Sequence, residues 1–330
     1  MRLKVLLITA LAALCACSQG QPSGGGQPQK TVIRFATDWR AEAEHGGFYE
    51  ALAIGEYARR GLDVRIIQGG PTVNVPELVA SGAVELGDGS NSFIVMNLVG
   101  AHAPVKAVAA FMQKDPQVLL AHPDTGINTI ADMKGHPILL SDASKTAFWP
   151  WMKTKYGFSD DQVRSYTFNN GPFILDDQAV QEGYVTSEPY TVAQQGKFTP
   201  KVFLLADQGY PSYAAMVIAP DKLIASNPAA VRAFVEASAV GWRDYLHGDP
   251  KPADALILKD NPDMTEDVLA QARDKMRQYG LVDGGDAATL GIGAMTDQHW
   301  ADFFKIASPK GLTNVKNAYS LQFLPNPPVK

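Results

Sequence analysis

Apolar positions mostly alternate through residues 32–36, Val32-Ile33-Arg34-Phe35-Ala36, which reads as a strand. The run breaks at Thr37-Asp38-Trp39, and His45-Gly46-Gly47-Phe48-Tyr49 then leads into a helical pattern over 48–60 that Gly61 closes. Residues 62–67 alternate as a second strand, 75–81 form a short helix stopped by Gly82, and 84–87 form a third strand. A helix over 93–99 and a buried strand over 105–111 follow. Strands alternating with helices predict parallel βαβ units.

A second block of the same kind starts near Gly126. Its expected elements are a short helix at 130–134, a strand at 136–140 and an aromatic helix holding Phe148, Trp149 and Trp151. Turn and strand over 162–168, a helix over 173–182 and strands over 183–190 and 201–206 complete it. The apolar run 214–219 returns to the first block, and helices over 231–245, 265–279 and 296–306 precede a Pro-rich end expected to be loose. The expected division is a first lobe of 31–125 with 214–330 and a second lobe of 126–213. Two crossings between two α/β lobes make a hinge with a cleft between them.

Residues 1–30 stand apart. Arg2 and Lys4 precede an apolar run at 5–14 and the box Leu14-Cys15-Ala16-Cys17, the layout of a secretory leader over 1–17. Its ending resembles a bacterial lipoprotein signal, which implies lipidation at Cys17 and a lipid anchor on the outer side of a membrane. Residues 18–30, rich in Gly, Gln, Ser and Pro, read as a flexible tether. Both cysteines lie in the leader, so the body has no disulfide, thiol nucleophile or thiolate metal site. With 46% hydrophobic and 19% charged residues the body is an ordinary globular one. A net charge of −5 and no Lys/Arg run argue against nucleic acid as a partner.

Open α/β folds place ligands where strands end. Asp38, Trp39, His45 and Tyr49 stand at such a place. Asp38 can accept hydrogen bonds from a ligand amine or cap a turn. Trp39 can stack on a flat ring or fill the core. His45 either meets the ligand or is a hydrogen-bonded structural histidine. Gly46 either admits a ligand to the backbone or makes a tight turn, and Tyr49 either lines the cleft or packs beneath it. Ser90 and Asn91, after the third strand, either receive a ligand or cap a helix. Ser141 and Ser144 hold the equivalent place in the second block, with Trp149 as a stacking wall or core residue. Tyr184 and Glu188 lie four apart and face one side if the strand persists to 188. Glu188 then meets the ligand or is tied to backbone amides. Tyr210 and Tyr213 either cover the cleft or pack the hinge.

The series strand-Asp38-Trp39, His45-Gly46-Gly47-Phe48-Tyr49, Gly61-Leu62-Asp63-Val64 and Ala131-Asp132-Met133-Lys134-Gly135 resembles solute-binding proteins of ABC importers in the nitrate/sulfonate/taurine class. Within it the chain is most similar to the branch that binds thiamine pyrimidine precursors. The resemblance implies a type II periplasmic-binding-protein fold, capture of hydroxymethylpyrimidine or formylaminopyrimidine, and an ABC permease and ATPase as partners. It implies a monomer and no cofactor. Riboflavin, or an alkanesulfonate, taurine or nitrate-type anion, is the alternative ligand. Synthases of the same branch use a histidine with a cysteine-rich motif, and this chain has no cysteine after Cys17. It also has no Gly-x-Ser-x-Gly elbow and no His-Glu-x-x-His. A binder rather than an enzyme is expected.

Overall fold

The computed structural model describes residues 30–70, 73–307 and 309–330. The expected leader, Cys17 and the tether up to residue 29 lie outside the described residues.

Ten strands make two five-stranded mixed sheets. The first has the order β2-β1-β3-β10-β4, with β1 Thr31–Ala36, β2 Leu62–Ile67, β3 Leu86–Asp88, β4 Val105–Met112 and β10 Ala214–Pro220. The second has the order β7-β6-β8-β5-β9, with β5 Gln117–Ala121, β6 Ile138–Leu140, β7 Val163–Ser165, β8 Val180–Tyr184 and β9 Lys201–Leu204. β1 runs parallel to β2 and β3, whereas β10 enters between β3 and β4 antiparallel to both. The alternation of β1 has a direct result: Ile33 and Phe35 are fully buried while Val32 is exposed. β4 is buried almost throughout, which matches its nearly continuous apolar run.

The chain crosses between the sheets at 113–116 and 205–213. The Asp115 N–H donates to the Ser212 carbonyl at 2.8 Å, which joins the two crossings. Further bonds span the sheets. Tyr190 Oη donates to Asp267 at 2.5 Å, and Thr186 Oγ1 donates to Glu44.

Four expectations need correction. Residues 117–121 were assigned to the first block, yet β5 pairs with β8 and β9 in the second sheet. Residues 173–182 are not one helix: a short helix, Gly171–Leu175, is followed by β8 from Val180. The strand expected to reach residue 190 ends at Tyr184, and a helix, Glu188–Gly196, starts with Pro189 in its first turn. Proline lacks the N–H a strand ladder needs and suits a helix start. The C-terminal end is not loose, because the Ile292 N–H donates to the Val329 carbonyl at 2.8 Å.

Gly46 and Tyr49 serve packing. The helix Gly46–Ala53 lies against the long helix Pro228–His247. A Cβ at Gly46 meets the Tyr245 ring at 2.0 Å, and one at Gly47 meets the Trp242 ring at 2.1 Å. Gly241, from the other helix, sits 2.1 Å from the Gly47 carbonyl on the same construction. The glycines let two backbones touch. Tyr49 is buried and donates to Asp260 at 3.0 Å, away from the cleft. Gly241→Ala is therefore expected to cost on the order of 3 kcal/mol, as overpacking against rigid backbone does. Chemical denaturation of the two proteins measures it, and an unchanged midpoint would contradict this packing.

Candidate functional site

A cavity of about 650 Å³ lies between the ends of the strands of the two sheets. The first lobe sends in Asp38 and Trp39 from the end of β1, and Ser90 and Asn91 from the end of β3. The second lobe sends in Ser141 and Ser144 after β6, and Tyr184 and Glu188 from the end of β8 and the helix beyond. Tyr210, from the return crossing, also lines it. A crevice of about 20 Å³, large enough for roughly one water molecule, adjoins it and shares Asp38, Glu42, Glu44, Ser90 and Tyr184. His45 and Asp88 line the crevice.

Asp38 organises the first-lobe wall. His45 Nε2 lies 2.9 Å from Asp38 Oδ1, and Ser90 Oγ donates to Oδ2 at 2.5 Å. Burial opposes the charge on Asp38, and the bonds from His45 and Ser90 outweigh it, so its pKa lies below the ordinary value. An ionised Asp38 requires the proton on Nε2. Nδ1 is then a bare acceptor, and it is buried without a partner. Ser90 holds a left-handed backbone, φ 55°, and its N–H donates to Asp88 at 2.8 Å. Asp38, His45 and Asp88 bring one potential metal-ligand atom each to within 4.8 Å of one another.

The expected capping and cleft-lining roles coincide at three residues. Asn91 accepts from the Ile94 N–H, and Ser141 Oγ accepts from the Ser144 N–H, while all of Asn91, Ser141 and Ser144 line the cavity. Glu188 likewise does two things. Its Oε2 accepts the Tyr184 N–H at 2.6 Å, and its Oε1 accepts from Tyr166 Oη at 3.4 Å. Tyr184 and Glu188 come together because the chain turns between them, not because one strand carries both.

Trp149 does not line the cavity. It is buried against Phe158, and its Nε1 donates to Asp160 at 2.8 Å. Tyr213 turns away as well, stacking on His299 with its hydroxyl on Asp286. The aromatic wall opposite Trp39 is instead Phe168, whose ring centroid lies 4.6 Å away, with Tyr166 at 5.2 Å beyond it. Phe168 is 51% exposed, so this pair stands at the solvent edge of the cavity. Nothing in the local pattern marks Phe168, which sits at φ 60° just after β7.

The sequence of residues 42–253 matches the family described as NMT1/THI5 like. The chain belongs to that family. Among curated NMT1/THI5-like relatives, the riboflavin-binding protein RibY of Chloroflexus aurantiacus is 25% identical, covering 97% of this chain and 95% of its own length. The formylaminopyrimidine-binding protein of Halalkalibacterium halodurans is also 25% identical, covering 87% and 84%. Of solved structures, the periplasmic aliphatic sulphonate binding protein SsuA of Escherichia coli superposes with a TM-score of 0.64 at 14% identity, covering 86% of each chain. The fold is that of periplasmic binding proteins, two α/β lobes with a cleft between them. Among the described residues no helix is long and apolar enough to cross a membrane.

What most distinguishes this NMT1/THI5-like cleft is its charge. Asp38, Glu42, Glu44, Asp115, Asp142, Glu182 and Glu188 line the cavity, and no lysine or arginine does. Only Asp142, an exposed residue, pairs with a lysine, Lys145. Glu42, Glu44, Asp88, Asp115 and Glu182 went unrecognised in the sequence, because single acids in loops read as solvated surface. Burial pushes Glu188 and Asp115 up to about 7. Burial, and then the charges of neighbouring acids, holds Glu42 and Asp88 well above the ordinary carboxylate range. These groups keep protons in the folded chain at pH values where the unfolded chain has released them. Stability is therefore full below about pH 4 and falls as the pH rises through about 7. The ligand-free protein is expected to melt lower at about pH 8 than at about pH 5.5, with a smaller drop in Glu188→Gln. Thermal unfolding across that range checks it; a melting temperature that climbs with pH would contradict it.

Proposed function

We propose that the chain is an extracytoplasmic solute-binding protein of an ABC importer, tethered through lipid on Cys17, that closes its two lobes around a planar heteroaromatic solute bearing ring or exocyclic amines. The observation that carries this is the pairing across the cavity of Asp38 and Trp39 with Tyr184, Phe168 and Glu188. Aromatic faces accept a flat ring, and carboxylates accept from its amine edge. A thiamine pyrimidine precursor, hydroxymethylpyrimidine or formylaminopyrimidine, has this chemistry, and a relative named for formylaminopyrimidine supports it. Delivery to a permease and ATPase follows from the importer role, with the chain acting as a monomer.

The body is read as a binder and not a catalyst. The chain lacks any cysteine after Cys17, and so lacks the cysteine-rich motif of the branch's synthases. A sulfonate or nitrate ligand fits poorly, because it would enter a cavity with no lysine or arginine on its walls. Riboflavin is the second reading. The cavity volume of about 650 Å³ exceeds what one pyrimidine ring fills, and the RibY relative covers 97% of this chain.

Isothermal titration with hydroxymethylpyrimidine, formylaminopyrimidine, riboflavin and taurine tests these readings. Heat from a pyrimidine is the expected result, and binding of taurine alone would overturn the proposal. Trp39→Ala and Glu188→Ala are each expected to weaken binding about tenfold or more, from the loss of a stacked or charge-assisted contact. Undiminished affinity in both variants would place the ligand elsewhere.

A further inference from the structure

The small crevice beside the cavity has a composition that a neutral ligand does not explain. Four carboxylates line a volume of about 20 Å³: Asp38, Glu42, Glu44 and Asp88. Asp88 and Glu44 are almost fully buried. Asp38 is held by His45 and Ser90, Glu44 by Thr186, and Asp88 by the Ser90 N–H. Glu42 differs, for among the described residues no group donates a hydrogen bond to its carboxylate. His45, 1% exposed, lines the same crevice with a buried Nδ1 that has no partner. An unpartnered acceptor and an unpartnered carboxylate thus stand on the walls of one small space. No lysine or arginine lines it.

Charge this concentrated in a buried place must be neutralised by protons or by a cation. The crevice holds one heavy atom and its hydrogens, and its walls are acceptors almost throughout. A primary ammonium group has that size, three donors and the opposite charge. Resting on the reading of the cavity as a site for a planar heteroaromatic, we infer that the ligand is an organic cation whose primary ammonium enters the crevice between Glu42, Asp38, Asp88 and His45. The ring then lies in the cavity beside Trp39 and Tyr184. This assigns a charge and a functional group to the ligand, and makes Glu42 a specificity-determining residue.

Two pyrimidines that differ only at this group separate the alternatives. In 4-amino-5-aminomethyl-2-methylpyrimidine the side chain ends in an ammonium, and in the hydroxymethyl compound it ends in a hydroxyl. The full-length chain is titrated with each by calorimetry, at about pH 6 and about pH 8, in two buffers of different ionisation heat. The ammonium compound is expected to bind about tenfold or more tightly than the hydroxymethyl compound, as hydrogen bonds to charged groups allow. Protons displaced from Glu42, Asp88 and their neighbours leave on binding, so its affinity rises with pH. In Glu42→Gln, which removes charge without removing volume, the ratio of the two affinities is expected to fall towards one. The melting temperature of the variant shows that it is folded.

Equal binding of the two pyrimidines, or preference for the hydroxyl, would refute the ammonium assignment and leave the heteroaromatic reading standing. Binding of taurine with neither pyrimidine bound would remove both. A preference for the ammonium compound that survives unchanged in Glu42→Gln would also overturn the assignment to this crevice.

Discussion

Carboxylates taken out of water without cations set the terms for the rest of this molecule. Most proteins that bury acids pair them with Lys or Arg, as this chain does at Arg273–Asp254 and Arg34–Glu85. Around the cavity it does not. The acids lean instead on hydroxyls, on backbone N–H groups and on one imidazole. Such partners position a carboxylate without cancelling its charge. The field in the cleft therefore stays negative, and protons fill the deficit while no ligand is present. Specificity in such a site comes as much from the charge it refuses as from the contacts it offers.

The scaffold that holds these acids is conventional by comparison. Two mixed sheets point strand ends at each other, and two crossings fastened by the Asp115–Ser212 bond keep them in register. Helix packing through Gly46, Gly47 and Gly241 brings the β1 wall close to the C-terminal helices without spending side-chain volume. The NMT1/THI5-like frame and the charge pattern are thus separable. The frame is shared with relatives of different named ligands, and the acids are placed on loops that the frame leaves free to vary.

The alternating frame and the return of residues 214–219 to the first sheet were legible in the sequence, because strand and helix periods differ and glycines punctuate them. Asp38, Trp39, Ser90 and Tyr184 were also legible, since each follows a recognisable strand. What was hidden depended on tertiary context. Glu188 reads as strand until Pro189 is weighed as a helix start. Trp149 has the same local signature as Trp39, yet its neighbours Phe158 and Asp160 draw it into the core. Glu42, Glu44 and Asp88 look like surface acids until the fold closes around them. β5 was missed because a short buried strand next to a crossing has little period of its own to show.

The ring contact between Trp39 and Phe168 has a kinetic side. The two residues come from different lobes and meet where the cavity reaches solvent. A molecule inside cannot diffuse out past them while they touch. Its escape rate is therefore bounded by how often two aromatic rings part, not only by how firmly the interior holds it. A moderately weak solute could be retained long enough for delivery, and the transporter would need only to prise the rings apart to unload it.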